Sequence, residues 1–422
     1  MWFALALFVL TYIMLLILPK ARALTAFCSA VLFVVSGIMP VSKVFSAVDW
    51  NALLMIAGTM GIVSLFIESK MPLFLADLII DKMPDVRWVI IMLSLFAGLI
   101  SAFVDNVATV LMIAPVAFVV AKKLETSPIP FVIAIAVSSN LQGAATLVGD
   151  TTSILLGDYA GMDFNDFFFY RGRVGIFWVV QIGALLSALV LLIVFRKHRQ
   201  KVSLNERSVV QDYVPTILLV GMIVLLIFAS LIKTKPSITN GLICVSVLLI
   251  GLIRQMIRTN AVHPSLIRIA KEIDWTTLVL LMSLLIVIAG ISEAGVVDAI
   301  SLLFVKFSGG NLFAIYTIFV FASVLFSAFI DNIPYVATML PVTAATAGLM
   351  GVDPTILYFG LLCGATLGGN LTPIGASANI TALGILQKNG YQVRAKEFMK
   401  ISVPFTMVAV LTGYLLIWLI WS

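Results

Sequence analysis

The chain has 422 residues, of which 62% are hydrophobic and 11% charged, with a formal net charge of +6 and a mean hydropathy of +1.15. Soluble domains are roughly half apolar and a quarter charged, so this composition excludes a soluble globular protein and describes a polytopic membrane protein. The basic residues sit in short loops between apolar runs, which excludes a nucleic-acid-binding patch and leaves membrane lipid as the surrounding medium.

Apolar runs near the roughly 20 residues that a helix needs to cross a bilayer recur along the whole chain. The first three predict full spans near 2–18, 22–40 and 51–67. The next segment, ESKMPLFLADLIIDKM at 68–83, has the pattern of an amphipathic helix lying in the membrane interface. A run at 88–121 is too long for one helix, and spans near 129–157 and 174–195 follow it. The most polar stretch, RKHRQKVSLNERSVVQD at 196–212, reads as a linker. Beyond it lie spans near 213–232, 238–256 and 275–293, a second overlong run at 312–348, and spans near 355–384 and 402–421. The first span lacks a basic leader and a small-residue cleavage site, so it reads as a retained helix and not as a signal peptide.

Basic residues orient these spans. Lys20 and Arg22 follow the first span, Arg196, Lys197, Arg199, Lys201 and Arg207 fill the linker, Arg254, Arg258, Arg268 and Lys271 follow the span at 238–256, and Lys388, Arg394, Lys396 and Lys400 precede the last. If these loops are cytoplasmic, both termini face outside, and 88–121 and 312–348 must each enter and leave on one side. Both overlong runs then become re-entrant hairpins. Lys233 and Lys235 make the one discordant loop. The expected fold is all-α, with about ten transmembrane helices and two re-entrant hairpins.

The two halves repeat each other. SAFVDNVATVLMIAPV from Ser101 matches SAFIDNIPYVATMLPV from Ser327, an offset of 226 positions. QGAATLVGDTTSI from Gln142 falls on GGNLTPIGASANI from Gly368 at the same offset, pairing Gly143 with Gly369, Thr146 with Thr372, Gly149 with Gly375 and Ser153 with Asn379. Upstream the offset is 225, pairing Asp49-Trp50 with Asp274-Trp275 and Glu68 with Glu293. Five full spans precede the linker, and five is odd, so the repeats at 1–195 and 213–422 have inverted topology.

Inverted repeats with interrupted helices point to a secondary transporter whose discontinuous helices meet at the midplane. SSNLQGAATLVGDTTS interrupts the span at 129–157, and GATLGGNLTPIGASAN interrupts the one at 355–384. Irregular backbone at membrane depth persists only where protein or an aqueous cavity surrounds it. Each hairpin carries Asp-Asn near its middle, as Asp105-Asn106 and Asp331-Asn332. A carboxylate at the bilayer centre costs at least about 3 kcal/mol, so these four residues are the candidate coupling-ion site. A Na+ at the tips, on Asp105 and Asp331, is the one metal expected. The alternatives are pairing with a basic residue, which the absence of Lys and Arg from the polar stretches disfavours, and capping of the second arm of each hairpin. Asn140, Thr146, Gly149, Asp150, Thr151, Ser153, Thr366, Asn370, Thr372, Gly375, Ser377 and Asn379 are expected to line the substrate and ion site. Asp150 faces Ala376 in the repeat, which would make the half-sites unequal unless it only caps the half-helix starting at Thr151.

The remaining titratable groups read as structural. Asp49-Trp50 and Asp274-Trp275 have the pattern of helix caps beside interfacial indoles, and Glu68 and Glu293 that of solvated helix ends. His198 and His263 fall in basic loops, and Cys28, Cys244 and Cys363 lack CxxC spacing and read as small buried hydrophobes. No nucleophile with a base and no metal cluster is visible, so no catalytic residue, enzyme activity or cofactor beyond Na+ or H+ is expected.

The motifs DNVATVLMIAPV, GAATLVGD, SAFIDNIPYVATMLPV and GGNLTPIGASANI resemble the ArsB/NhaD-type permeases of the ion transporter superfamily. That group includes arsenite efflux pumps, NhaD-type sodium/proton antiporters and the melanosomal P protein, with the sodium/dicarboxylate symporters more distant. The symporters carry Ser-Asn-Thr at both tips where this chain has Asp-Asn-Val and Asp-Asn-Ile, and GDTTS at 149–153 stands where many relatives have Gly-Asp-Pro-Pro-Asn. The resemblance implies a homodimer in a prokaryotic inner membrane, scaffold domains from the first three spans of each repeat, and a transport domain of hairpins and broken helices that moves as an elevator. It implies coupling of H+ or Na+ to a small inorganic ion or small anion, by metalloid or oxyanion efflux or sodium/proton antiport, ahead of di- or tricarboxylate or sulfate symport. A passive channel is the expectation from a different class.

Overall fold

The computed structural model describes residues 1–18, 21–123, 126–196, 200, 208–232, 234–259 and 270–422. Lys20, Lys197, Arg199, Lys201, Arg207, Lys233, Arg268, His198 and His263, with most of the expected linker, lie outside the described residues. The first half comprises α1 (Trp2–Ile17), α2 (Arg22–Val35), α3 (Val41–Ala47), α4 (Trp50–Glu68), α5 (Met71–Ile80), α6 (Val86–Ser101), α7 (Asn106–Lys123), α8 (Ile129–Gly143), α9 (Thr151–Ala160) and α10 (Ile176–Val194). The second comprises α11 (Val214–Ser230), α12 (Thr239–Thr259), α13 (Trp275–Glu293), α14 (Val296–Ser308), α15 (Leu312–Ser327), α16 (Asn332–Met350), α17 (Thr355–Gly368), α18 (Ser377–Lys388) and α19 (Ala395–Trp421). The protein is a helical polytopic membrane protein. A two-residue antiparallel pair, β1 (Phe169–Tyr170) with β2 (Arg173–Val174), turns through Arg171 and Gly172 at φ 48° and 78°.

Among the described residues six helices, α4, α10, α12, α13, α16 and α19, are long and apolar enough to cross a bilayer alone, and α14 and α15 meet at a bend of 118°. The spans expected at 2–18, 22–40 and 213–232 form helices of 16, 14 and 17 residues. The second of these is cut short because the chain turns at Gly37 and starts α3, an element the sequence reading did not separate. The span expected at 402–421 begins earlier, at Ala395, and runs 27 residues through Pro404. Both overlong runs divide at Asp-Asn, and both spans with polar interruptions are broken, at 144–150 and 369–376.

Local chemistry sets these ends. Asp49 accepts a hydrogen bond from the Ala52 N–H at 2.8 Å and Asp274 from the Thr277 N–H at 3.0 Å, each filling an orphan donor of a first turn. The neighbouring indoles bond backward, Trp50 to the Phe45 carbonyl and Trp275 to the Ala270 carbonyl. The cap reading of both pairs holds. Glu293 is exposed and pairs at the surface with Lys43 at 2.7 Å, so the solvated-end reading holds for it, whereas Glu68 is half-buried and accepts from Gln255 at 3.1 Å. The buried-cysteine reading holds for Cys244 and Cys363, while Cys28 is exposed on α2.

Packing sorts the helices into two groups. In the first, α4 lies against α12, α2 against α13, α1 against α2 and α11 against α12. In the second, α6 packs on α8, α15 on α17, α10 on α19, and the half-helices cross between repeats, α18 on α7 and α9 on α16. The repeats are thus interlocked: in both α4–α12 and α2–α13, one partner comes from each half. Their backbones approach closely, since a Cβ on Gly58 would fall 2.6 Å from the Cys244 carbonyl carbon and one on Gly290 2.5 Å from the Phe33 ring. The arms α5 and α14 reach across to the second group, α5 onto α6 and α7 and α14 onto α16.

Candidate functional site

The broken helices and the two hairpin tips meet at one place, built twice. In each repeat the first hairpin arm ends on a carbonyl that a threonine of the broken helix occupies: Thr146 donates to the Ala102 carbonyl and Thr372 to the Ala328 carbonyl. Gly149 and Gly375 pass beside these carbonyls without room for a side chain. Ser153 donates to the Gly143 carbonyl at 3.2 Å, and Asn379 donates to the Gly369 carbonyl at 3.0 Å. The 226-residue sequence offset is therefore a repeat of contacts as well as of letters.

An amide chain joins the halves. Asn106 donates to Asn140 Oδ1 at 2.9 Å, Asn140 donates to the Thr366 carbonyl at 2.7 Å and to Asn370 Oδ1 at 3.1 Å, and Asn370 donates to the Val137 carbonyl at 2.8 Å. Asn140 and Thr366 are repeat partners touching each other. A second link runs between the Thr152 and Thr366 hydroxyls at 3.2 Å. These groups are fully buried, and bonded amides at such depth remove the desolvation cost of polar atoms. Asn379 Oδ1 is an exception: it is buried with no hydrogen-bond partner, an acceptor open to a cation.

Asp105 and Asp331 both cap the second arm of their hairpin, Asp105 accepting from the Val107 and Ala108 N–H groups at 3.0 and 3.1 Å and Asp331 from the Ile333 N–H at 3.2 Å. Beyond that they differ. Asp331 Oδ2 accepts from Ser377 at 2.8 Å and forms an ion pair with Arg22 at 3.1 Å. The expectation that no basic residue pairs with the hairpin carboxylates is therefore wrong for Asp331, because Arg22 is not a loop residue but the first residue of α2, and packing carries it to the tip. A cation in a first helical turn opposes the macrodipole, which was the signal available in the sequence. Among the described residues Asp105 forms no ion pair.

Asp150 also departs from expectation. It precedes α9 in the cap position but its side chain bonds no first-turn N–H. The carboxylate instead accepts from the Thr152 hydroxyl at 3.1 Å and from Asn332 at 3.2 Å, tying a broken helix of one repeat to the hairpin tip of the other. Capping alone does not describe it. Ala376 holds the matching place before α18 with nearly the same backbone, φ −135° and ψ 144° against −144° and 150°.

A cavity of about 150 Å³ reaches this cluster. Of the expected site residues, Asp105, Asn106, Asp150, Thr151, Asn332 and Ser377 line it. The rest stand behind that wall, and most of them hold the irregular backbone together. Glu272 and Asp274 just before α13, Thr277 in its first turn, and Met60, Val63, Ser64 and Ile67 of α4 also line it; the sequence reading assigned Asp274 only to capping and did not single out Glu272. A separate cavity of about 510 Å³ is lined by the start of α4 with Asp49 and Asn51, the end of α9 with Asp158, and the C-terminal half of α13. α4 and α13 give opposite ends to the two cavities, so they run antiparallel, and of these two cavities the first borders the carboxylate cluster. Among the described residues no three His, Cys, Asp or Glu side chains form a metal-ligand cluster.

Broken helices crossing between inverted halves, with buried carboxylates at the crossing, define a membrane transporter. Residues 12–263 and 238–422 match the CitMHS family, described as "Citrate transporter", and the chain belongs to that family within the ion transporter superfamily. An uncharacterized transporter of Mycobacterium tuberculosis is 30% identical over 425 residues, covering 99% of this chain and 98% of that protein. The human P protein is 26% identical over 472 residues, covering 92% of this chain and 56% of its own length. The YdaH transporter of Alcanivorax borkumensis shares the fold at a TM-score of 0.60 and 14% identity, over 89% of this chain and 86% of its own. Neisseria gonorrhoeae MtrF, described as one of a class of antimetabolite efflux pumps, does so at 0.57 and 14%, over 89% and 82%.

Proposed function

We propose that this transporter is a secondary active carrier in which Asp105, Asp150 and Asp331 exchange H+ or Na+, coupled to movement of a small inorganic ion or small neutral oxyacid. The observation that carries this reading is the gathering of three carboxylates from both repeats, Asp150 and Asp331 buried and Asp105 partly exposed, at a small cavity that Asp105 and Asp150 line. Among the described residues that line the cavity, Asp105, Asp150, Glu272 and Asp274 carry carboxylates and none carries a Lys or Arg side chain, a field that concentrates cations and opposes a multiply charged anion. The cavity is well below the roughly 300–1,000 Å³ of pockets for drug-sized organic ligands, which suits a small solute.

In this reading the second helix group, with its hairpins and broken helices, slides against the first as an elevator, and the present state opens on the face of Glu272 and Asp274. In the same reading that face is cytoplasmic and both termini lie outside, supported by the basic residues of the intervening loops, and the chain works as a homodimer in a prokaryotic inner membrane. The family description favours a second reading, symport of a carboxylate anion, for which Arg22 and Ser377 would be the anion-facing groups.

The test uses purified protein in proteoliposomes: dissipation of an imposed pH gradient on adding Na+ or Li+, for wild type, Asp105→Asn and Asp331→Asn. Dissipation lost in either variant supports cation/proton exchange at the tips. If wild type gives none, that exchange is refuted, and uptake of arsenite, sulfate and citrate under a proton gradient decides between the remaining solutes.

A further inference from the structure

The two hairpin carboxylates are chemical equals in sequence and unequal in the structure. Asp105 lines the cavity, whereas Asp331, with 7% of its side chain exposed, is paired with Arg22, itself 18% exposed. Arg22 starts α2, which packs with α1 and α13 in the first helix group, and Asp331 belongs to the second. The pair therefore bridges the seam between the groups. A second contact follows the same seam: the Tyr12 hydroxyl of α1 donates to the Pro334 carbonyl at 2.6 Å and bonds Thr338, both on the helix that Asp331 caps. Around Asp331, then, stand Arg22 from α2, Ser377 from α18 and, across the tips, Asp150.

A buried ionised carboxylate is stabilised by a positive partner, and removing that partner leaves an uncompensated charge. When the cluster is open at the end marked by Glu272 and Asp274, Arg22 supplies that charge for one of the two tips. We propose that Arg22 is a tethered cation that competes with the coupling ion for Asp331, displacing it toward the open cavity in this state and releasing the carboxylate when the hairpin moves away. This rests on the coupled-carrier reading above. It makes cation affinity at Asp331 depend on the state: weaker where Arg22 can reach the carboxylate and stronger where Arg22 cannot, with the ion gradients setting the direction of net movement. Arg22 is a positioning residue here, because it acts on the ion through Asp331.

The experiment titrates the driving cation, Na+ or H+, on the side to which the cavity opens, reading half-saturation of transport in proteoliposomes and cation-induced thermal stabilisation of the same proteins in detergent. Removing an opposite charge within about 4–6 Å changes a carboxylate's cation affinity by roughly one to three decades, so Arg22→Gln is expected to lower half-saturation about tenfold or more in both readouts. Arg22→Lys, which keeps the charge, should stay near wild type. In an Asp331→Asn background, where transport is expected to be lost, cation-induced thermal stabilisation carries the comparison: Arg22→Gln should leave it as it is in Asp331→Asn alone, and this double variant is free of an unpaired buried carboxylate. Wild-type half-saturation in Arg22→Gln, or a shift that persists without Asp331, overturns the proposal while leaving the carrier reading intact. A wild type that responds to neither cation overturns both.

Discussion

Replacing Gly149 with alanine tests how the ion site is held. A Cβ at this position would lie 2.7 Å from the Gly143 carbonyl oxygen, 2.8 Å from that of Ala102 and 2.8 Å from that of Ser101. Non-bonded contacts of carbon are optimal near 3.5–4.0 Å, so the methyl intrudes by about 0.7 Å on three acceptors that are all backbone and cannot swing aside. Inserted methyl groups in packed cores cost about 1–3 kcal/mol, and three rigid neighbours place this one at about 3 kcal/mol. The strain falls on residues 101 to 102, just before Asp105, so the hairpin tip must also shift. Gly375→Ala meets the equivalent trio, at 2.6 Å from the Gly369 oxygen and 2.8 Å from those of Ala328 and Ser327. Gly384→Ala, in α18 with open space around it, is the control and should gain about 0.5–1 kcal/mol from helix propensity. Thermal unfolding of the three purified variants should show Gly149→Ala and Gly375→Ala melting several degrees below wild type, with transport lost, and Gly384→Ala slightly above. Unchanged melting and transport in Gly149→Ala would refute the close approach on which the site geometry depends.

Asp150→Asn keeps an acceptor for Thr152 and Asn332, so it should fold near wild type and lose ion coupling, whereas Asp150→Ala orphans the buried Asn332 amide and should cost a further ~1–3 kcal/mol; wild-type coupling in Asp150→Asn would make the residue purely structural. At the opposite end, Asp49 caps α4 outside its span, and burial, together with a hydrogen bond and the charge of Asp158, pushes its carboxyl up to about 8. An unfolded aspartate titrates near 3.9, so between about pH 4 and 8 the folded state keeps a proton the unfolded chain has released. Stability then falls as pH rises through that window, by at most about 1.4 kcal/mol per unit. Asp49→Asn, which preserves the cap, should flatten the slope of melting temperature between about pH 5 and 8, and an unchanged slope would show that the two carboxyls share no proton.

Composition and periodicity were sufficient for the membrane class, because the cost of burying polar backbone in lipid leaves helices as the solution for long apolar runs. The repeat was equally legible: Thr146 with Thr372 and Gly149 with Gly375 occupy equivalent contacts, and Asp105 and Asp331 both cap a hairpin arm, because the same local letters face the same local backbone. What the letters left open was which groups meet across the chain. Arg22 reads as a loop cation until α2 packs on α13 and brings it to a tip 309 positions away. Asp150 reads as a cap until α9 packs on α16 and presents it to Asn332, and Asp274 reads as a cap until α13 places it at the cavity mouth. Caps, breaks and spans arise within a few residues and are written locally. The inequality of two matching carboxylates arises from docking between helix groups, and only the tertiary structure decides that.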